Sequence, residues 1–210
     1  MRKVSICVII LLVVAIQTFA AEPKKGTLRM SGDNTWEAYI DGEKVGQGAD
    51  WQAVGVYEFD IVNGSFVAAI HVHDAEPGAA GVGGFLGDIV LDNDEYFATG
   101  DVGKDGKQTW KCSDDDSYLK NDDWVEPQFN DDDWMEPTLY EQFGGGVWGG
   151  GAAAMKNGGL QDPDCEAFWC WAGPNNTADE VFFRYTYGEN LAVEPVSKSA
   201  TTWGMLKSKF

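Results

Sequence analysis

A near-repeat of acidic residues and tryptophan holds the side chains of this sequence that are best suited to bind a cation. Its two copies, Asp-Asp-Trp-Val-Glu-Pro and Asp-Asp-Trp-Met-Glu-Pro, begin ten residues apart, at Asp122 and Asp132. Calcium binds roughly six to eight oxygen ligands, often from clustered aspartates. The repeat therefore predicts a calcium site with these candidate ligands: Asp122, Asp123, Asp131, Asp132 and Asp133.

The spacing of these carboxylates leaves other interpretations of the repeat open. It lacks the alternation of an EF-hand loop and the glutamate that closes such a loop. The tryptophans can instead close a loop over the core, in which case the repeat is structural. The surplus carboxylates can also form an acidic patch that faces a mineral.

Tryptophan is the second abundant side chain with binding chemistry, because the chain has nine. An aromatic ring offers a large, rigid apolar face that can pack against the C–H face of a sugar ring. Trp51, Trp124 and Trp148 lie outside the predicted strands and are therefore the candidate glycan-binding residues. The alternative is that these rings close loops over the core.

The two histidines of the chain, His71 and His73, are separated by one residue. Side chains alternate along a strand, so both rings lie on one face of the predicted strand over residues 66–72. We expect partly exposed strand histidines. The alternative is a paired metal site that needs help from a carboxylate such as Glu76.

No catalytic constellation assembles from the sequence. It contains no nucleophile motif and no glycine-rich phosphate loop. With 34 acidic residues, any two carboxylates look paired, so the two-carboxylate pattern of glycosidases has no specificity here. We therefore predict a protein that is not an enzyme. Asn63 and Asn175 begin N-glycosylation sequons.

The elements that must position these residues are predicted to be β-strands throughout. Alternating or apolar runs cover residues 27–30, 36–40, 54–61, 66–72, 85–91, 95–99, 108–112, 166–171 and 181–187. Asp41-Gly42 and Asn63-Gly64 are turn signals. Many short strands with such turns predict an all-β sandwich. Acidic segments and a Gly-rich run over residues 144–159 are predicted to be long loops.

The first twenty residues have the pattern of a secretory signal peptide. Arg2 and Lys3 precede an apolar run, and Thr18 and Ala20 supply the small residues of a cleavage site. No second apolar stretch follows, so we expect no membrane span. The expected organisation is a signal peptide over residues 1–20, one domain over 21–190 and a weakly structured tail over 191–210.

Charge and cysteine content restrict the partners and the compartment. A formal charge of −19 would repel nucleic acid, which leaves calcium, mineral or other cationic surfaces, and neutral glycans as partners. Beyond the leader, the cysteines are Cys112, Cys165 and Cys170. An odd number in a secreted protein predicts one disulfide and one free thiol, with three pairings open.

Several motifs together resemble the galactose-binding-like jelly-roll β-sandwich, an accessory module of α-L-rhamnosidase-type glycoside hydrolases. The stretch 36–46, followed by Asp50-Trp51, resembles that family's aromatic-x-x-Tyr-hydrophobic-Asn-Gly-Lys segment and its following Trp. Residues 129–137 resemble its Phe-Asp-Asp-Ser-x-Trp segment, and residues 169–171 with 182–187 resemble its closing strands. The Asn-Gly turn of the family is Asp41-Gly42 here.

This resemblance implies a jelly roll and a non-catalytic protein associated with glycans or extracellular matrix. It also implies that Trp134 packs on the sandwich and that Asp132 caps the preceding turn. We therefore expect a secreted extracellular binding or matrix protein that contacts glycans, calcium or mineral through acidic and aromatic loops. The alternatives are a small secreted glycan-active enzyme and a structural extracellular protein with no specific ligand.

Overall fold

The protein folds into two antiparallel β-sheets in a computed structural model that describes residues 23–75, 81–146, 148 and 165–188. Within those ranges the strands are β1 Lys25–Asp33, β2 Thr35–Ile40, β3 Glu43–Gly48, β4 Gly55–Asp60, β5 Phe66–His73, β6 Gly84–Leu91, β7 Tyr96–Ala98, β8 Trp110–Ser113, β9 Thr138–Gln142, β10 Phe168–Trp171 and β11 Glu180–Tyr187. The predicted all-β architecture is confirmed. The arrangement is consistent with a β-sandwich.

The first sheet, sheet A, has the strand order β4-β1-β6-β10-β9, with β7 paired to β6. The second, sheet B, has the order β3-β2-β5-β11-β8. The predicted turn at Asp41-Gly42 joins β2 to β3, and both residues have positive φ angles, 48° and 85°. Asp and Gly adopt this left-handed conformation at low cost, which explains the turn.

The interior between the sheets is filled by the alternate, inward-facing side chains of both. Along β5 these are Phe66, Ala68, Ile70 and Val72, all almost completely buried. The largest inward-facing side chains are Trp36 and Trp110 of sheet B and Trp171 of sheet A. Burial of such apolar area is the main favourable contribution to folding.

Both sheets are also covered on their outer faces, which explains the continuous apolar run predicted over residues 66–72. On sheet B, Ala69 and Phe182 lie beneath Trp124 and Val125. On sheet A, Leu86 and Trp169 lie beneath Trp148. Several strand positions that would alternate to solvent are therefore apolar in both sheets.

Some predictions fall outside the residues that the structure describes. These are the signal peptide over residues 1–20, the tail over 191–210, Glu76, and all of the Gly-rich run except 144–146 and Trp148. Within the described ranges, no helix is long and apolar enough to cross a membrane.

Candidate functional site

The acidic repeat folds over the outer face of sheet B rather than projecting from it. Its first copy forms a short 3-10 helix, Asp122–Val125, which follows another, Asp116–Lys120. The Asn121 side chain accepts a hydrogen bond from the Asp123 amide at 3.1 Å and caps this helix. In the second copy Asn130 accepts from the Asp132 amide at 2.9 Å. The implied role of Asp132 as the capping side chain is therefore wrong, because Asn130 caps this turn.

The two tryptophans of the repeat differ in depth. Trp124 is only 3% exposed and makes edge-to-face contacts with Tyr39 and Phe182, at centroid distances of 5.7 and 5.0 Å. Trp134 is half-buried, and its indole N–H donates to the Tyr118 hydroxyl at 3.0 Å. Trp134 does pack on the sandwich, as the resemblance implied. The expectation that Trp124 offers a free face to a sugar is corrected, since both partners cover it.

A buried arginine joins the repeat to the sheet beneath it. Arg184 on β11 is 1% exposed, and its Nε donates to Asp131 Oδ2 at 3.0 Å. Its other nitrogens donate to the backbone carbonyls of Trp124 and Glu126. Burial lowers the pKa of the Arg184 guanidinium, while the hydrogen bond and charge of Asp131 oppose this change.

The predicted calcium ligands do not converge. Asp131 is occupied by Arg184 and by Lys111 Nζ, which lies 2.7 Å from its Oδ1. The remaining four candidates, Asp122, Asp123, Asp132 and Asp133, are exposed. Across the described part of the chain, no group of three or more His, Cys, Asp or Glu side chains is arranged to hold a metal ion as it stands. Calcium binding at the repeat stays a prediction without a preformed cage.

The other two glycan-binding candidates lie on the outer face of sheet A. Trp148 is 3% exposed, stacks on Trp169 at 4.5 Å and donates its indole N–H to Asp33 Oδ2 at 3.0 Å. Trp51 is half-buried, with its ring edge-to-face to Trp169 at 6.4 Å. The expectation of a free aromatic face at Trp148 is therefore corrected, and Trp51 alone of the three candidates keeps appreciable exposure.

Gly84 on β6 permits this packing of tryptophans. A Cβ at position 84 would lie 2.6 Å from Trp148 Cζ2 and 2.9 Å from Trp169 Cε3. Carbon atoms in contact are separated by about 3.5–4.0 Å, so any side chain here would displace an indole ring. The lack of a side chain at Gly84 therefore allows Trp148 to pack directly on the sheet.

The predicted disulfide is absent, because Cys112, Cys165 and Cys170 are all free thiols. Cys112 on β8 and Cys170 on β10 belong to opposite sheets and face the interior, whereas Cys165 lies in the outer cluster of sheet A. Burial raises the pKa of all three thiols, to about 11 for Cys165. Such thiols carry little of the reactive thiolate at neutral pH.

The two sequons differ in accessibility. Asn63 is exposed at a turn, with a positive φ of 58°. Asn175 is half-buried, and its backbone amide and carbonyl are hydrogen-bonded to the Tyr140 hydroxyl and the Gly83 amide, both at 2.8 Å. Of the two asparagines, Asn63 is the better placed to receive a glycan.

An open groove lies at the end of the sandwich where β11 ends and β5 begins. Its volume is about 630 Å³, within the range of small-molecule sites. The lining includes Gly64, Glu95, Phe97, Lys104, Tyr187 and Gly188. Together with Tyr96, it joins three half-buried aromatic residues with one carboxylate and one exposed ammonium group.

Two of the aromatic rings of the groove come from different sheets. Phe97 on β7 and Tyr187 on β11 have ring centroids 5.5 Å apart, so they bridge sheet A and sheet B. Tyr187 also stacks on Phe66 at 5.2 Å, and its hydroxyl donates to Glu95 Oε2 at 2.7 Å. The groove is therefore held by contacts between residues that are far apart in sequence.

A compact group of titratable side chains lies on the outer face of sheet B. His71 Nε2 is 2.6 Å from Glu180 Oε2, and His73 Nδ1 is 2.8 Å from Glu180 Oε1. The strand period predicted that the two rings share a face, and the structure confirms it. The sequence suggested Glu76 as the carboxylate, whereas the residue that contacts both rings is Glu180.

No known protein family, curated protein or solved structure matches this chain. The resemblance to galactose-binding-like sandwiches therefore stays a prediction from the sequence motifs. Function has to be argued from the sites themselves, since one sandwich architecture serves many functions.

Proposed function

We propose that this protein is a secreted, non-catalytic extracellular binding protein of the galactose-binding-like jelly-roll class that holds a glycan in the groove at the end of its sandwich. The single observation that carries this proposal is the pairing of Phe97 and Tyr187 beside the Glu95 carboxylate in an open cavity. The signal-peptide pattern of residues 1–20 supports the extracellular location.

The chemistry of the groove suits a sugar. The exposed parts of the Phe97 and Tyr187 rings offer apolar surface for the C–H face of a pyranose. Glu95 accepts hydrogen bonds from hydroxyl groups, and the Lys104 ammonium donates them. A cavity of about 630 Å³ has room for more than one sugar ring. A few polar groups in a partly apolar cleft are the usual composition of a ligand site.

The carboxylate content of the groove favours binding over hydrolysis. Most glycosidases place two carboxyl groups on either side of the scissile bond, about 5–10 Å apart. Among the lining residues that the structure describes, Glu95 is the only acid, and the Tyr187 hydroxyl already donates to it. The described part of the lining therefore supports recognition of a glycan better than its cleavage.

Glycan-array screening of the mature protein, followed by calorimetric titration of the best ligand, tests the proposal. Glu95→Gln should weaken binding by about tenfold or more, because a charge-assisted hydrogen bond contributes about 1.5–3 kcal/mol. Asp94→Asn is the matched control, since Asp94 is exposed, is not part of the groove lining and has a φ of 68° that asparagine tolerates. Equal losses in both variants, or no glycan bound at all, would contradict the proposal.

The acidic outer surface is a second candidate, for cationic surfaces or mineral. The observation that favours it is the exposure of Asp122, Asp123, Asp132 and Asp133 above the Arg184 anchor. A contact of this kind is electrostatic and needs no cage of ligands. Adsorption to a calcium mineral that falls steeply with salt, and falls further in Asp132→Asn/Asp133→Asn, would support it.

A further inference from the structure

The group formed by His71, His73 and Glu180 has no part in the proposed glycan groove. Glu180 bridges the two imidazole rings, with one carboxylate oxygen 2.6 Å from His71 Nε2 and the other 2.8 Å from His73 Nδ1. The side chains of His71 and Glu180 are 18% and 20% exposed, and that of His73 is 41% exposed. All three lie within reach of solvent and are partly shielded from it.

Strand geometry explains why these residues meet. His71 and His73 occupy alternate positions of β5 and project from one face. Antiparallel pairing places Glu180 of β11 directly opposite His73 and diagonal to His71. Directly opposed and diagonal residues are about 5 and 7–8 Å apart, so one glutamate side chain reaches both rings. The group lies at the end of two inner strands of sheet B, since His73 is the last residue of β5 and Glu180 the first of β11.

Neighbouring side chains hold this group in place. The His71 ring stacks on Phe182, with centroids 4.7 Å apart and planes inclined by 9°. On the other side of β5, Glu37 lies opposite His71 in register and is already bound by Lys44 Nζ and the Tyr39 hydroxyl, both at 2.6 Å. Glu37 therefore contributes charge near His71, while its oxygens have partners of their own.

We propose that His71, His73 and Glu180 form a binding site for a divalent transition-metal ion, of which Zn²⁺ is the reference case. Two imidazoles and one carboxylate are a ligand set that suits zinc, copper or nickel, and imidazole nitrogen distinguishes these ions from calcium and magnesium. The proposal is independent of glycan binding. It assigns the site to residues of the sheet, away from the acidic repeat.

The distances between the imidazole nitrogens and the Glu180 carboxylate show how the site would have to rearrange to bind a metal ion. Zinc binds nitrogen and oxygen at about 2.0–2.2 Å in tetrahedral geometry, so neighbouring ligand atoms lie roughly 3.3 Å apart. The imidazole-to-carboxylate distances of 2.6 and 2.8 Å are shorter. As it stands, each ring contacts a different oxygen of the Glu180 carboxylate, so the three side chains must rearrange for an ion to enter between them. The His73 side chain is 41% exposed, whereas its Nδ1, which faces Glu180, is buried and has no hydrogen-bond partner that meets the usual angular criteria.

The histidine content makes the site unusually easy to test. Because His71 and His73 are the only histidines of the chain, every imidazole NMR signal comes from this pair. Zinc added to the metal-free mature protein should shift the ring signals of both histidines together and saturate at one equivalent. Loss of zinc binding in His73→Asn, whose ring is the more exposed, would support the site. A thermal melt should show that this variant still folds.

Substitution of Glu180 and of Glu37 distinguishes a metal site from an ordinary ion pair. Glu180→Gln should weaken zinc binding by about tenfold or more, because removal of even an indirect partner of a ligand typically costs that much. Glu37→Gln is the matched control on the neighbouring strand and should leave zinc affinity within about twofold. Unshifted imidazole signals at one equivalent of zinc, or equal zinc affinity in the two variants, would overturn the proposal.

Discussion

Arg184 and Asp131 form the ion pair that attaches the acidic repeat to the body of the sandwich. The guanidinium is almost completely buried on β11, and its Nε lies 3.0 Å from Asp131 Oδ2. The same side chain donates to backbone carbonyls of the first copy of the repeat. Asp131, one of the acidic residues that suggest a cation site in the sequence, is thus held by a cation of the protein itself.

Replacement of Arg184 by methionine should lower the free energy of unfolding by about 3–5 kcal/mol, the usual cost of breaking a buried ion pair. Asp131 and the carbonyls of Trp124 and Glu126 would lose their donor. Urea denaturation measures the change. Lys111→Met removes the more exposed partner of Asp131 and should cost about 1 kcal/mol or less. Equal costs in the two variants would show that Arg184 is not the anchor.

Trp148 is predicted to act on stability and not on glycan affinity. Trp148→Ala removes the stack on Trp169 and the hydrogen bond to Asp33, and should cost about 3–5 kcal/mol. Trp148→Phe keeps an aromatic ring and should cost less, about 1.5–3 kcal/mol for the lost hydrogen bond to a carboxylate. Thermal or urea unfolding gives both values. A folded Trp148→Phe protein that loses glycan binding would contradict this assignment.

The three buried thiols should be unreactive in the native protein. Burial raises the pKa of Cys165 to about 11 and raises those of Cys112 and Cys170 as well, so little thiolate is present at pH 8. The mature protein, prepared without reductant, should expose no thiol to a disulfide reagent until it is unfolded. It should then titrate three. One thiol after unfolding would mean that a disulfide had formed.

Asp41 should make stability depend on pH. Burial raises the pKa of its carboxyl group, although the Val67 amide, which donates to it at 2.8 Å, opposes this effect. Because the folded pKa is raised, ionisation costs more in the folded state, and stability falls as pH rises through the carboxyl range.

Asp41→Asn keeps the acceptor and removes the charge, so the variant should be more stable at pH 7 by less than about 1 kcal/mol, given partial screening by water. This difference in the free energy of unfolding should shrink at pH 3. Urea unfolding at both pH values measures the difference, with the exposed Asp60→Asn as a control for net charge. An equal difference at both pH values would contradict the prediction.

The strands could be predicted because alternation and turn residues are local signals. β5 and β6 coincide closely with the predicted runs, and the Asp41-Gly42 turn is where expected. β9 was missed, since it is a short edge strand with little buried surface. The sequence also does not predict that Trp124 is more deeply buried than Trp134, because burial depends on which copy of the repeat packs against Phe182.

The candidate sites were less predictable because their partners are distant in sequence. His71 and His73 were paired by strand period alone, but Glu180 becomes their neighbour only through the register of β5 with β11. Likewise, Phe97 and Tyr187 meet across two sheets. Neither residue carries a sequence signal for binding, and three-dimensional proximity is what defines the groove.

Chemical-shift mapping with the best glycan from the array tests the central claim most directly. The account predicts that backbone amide shifts concentrate around Gly64, Glu95, Phe97, Lys104 and Tyr187, and that Glu95→Gln removes them. Shifts centred on Trp51 or on the Asp-Asp-Trp repeat, with the groove unaffected, would contradict it.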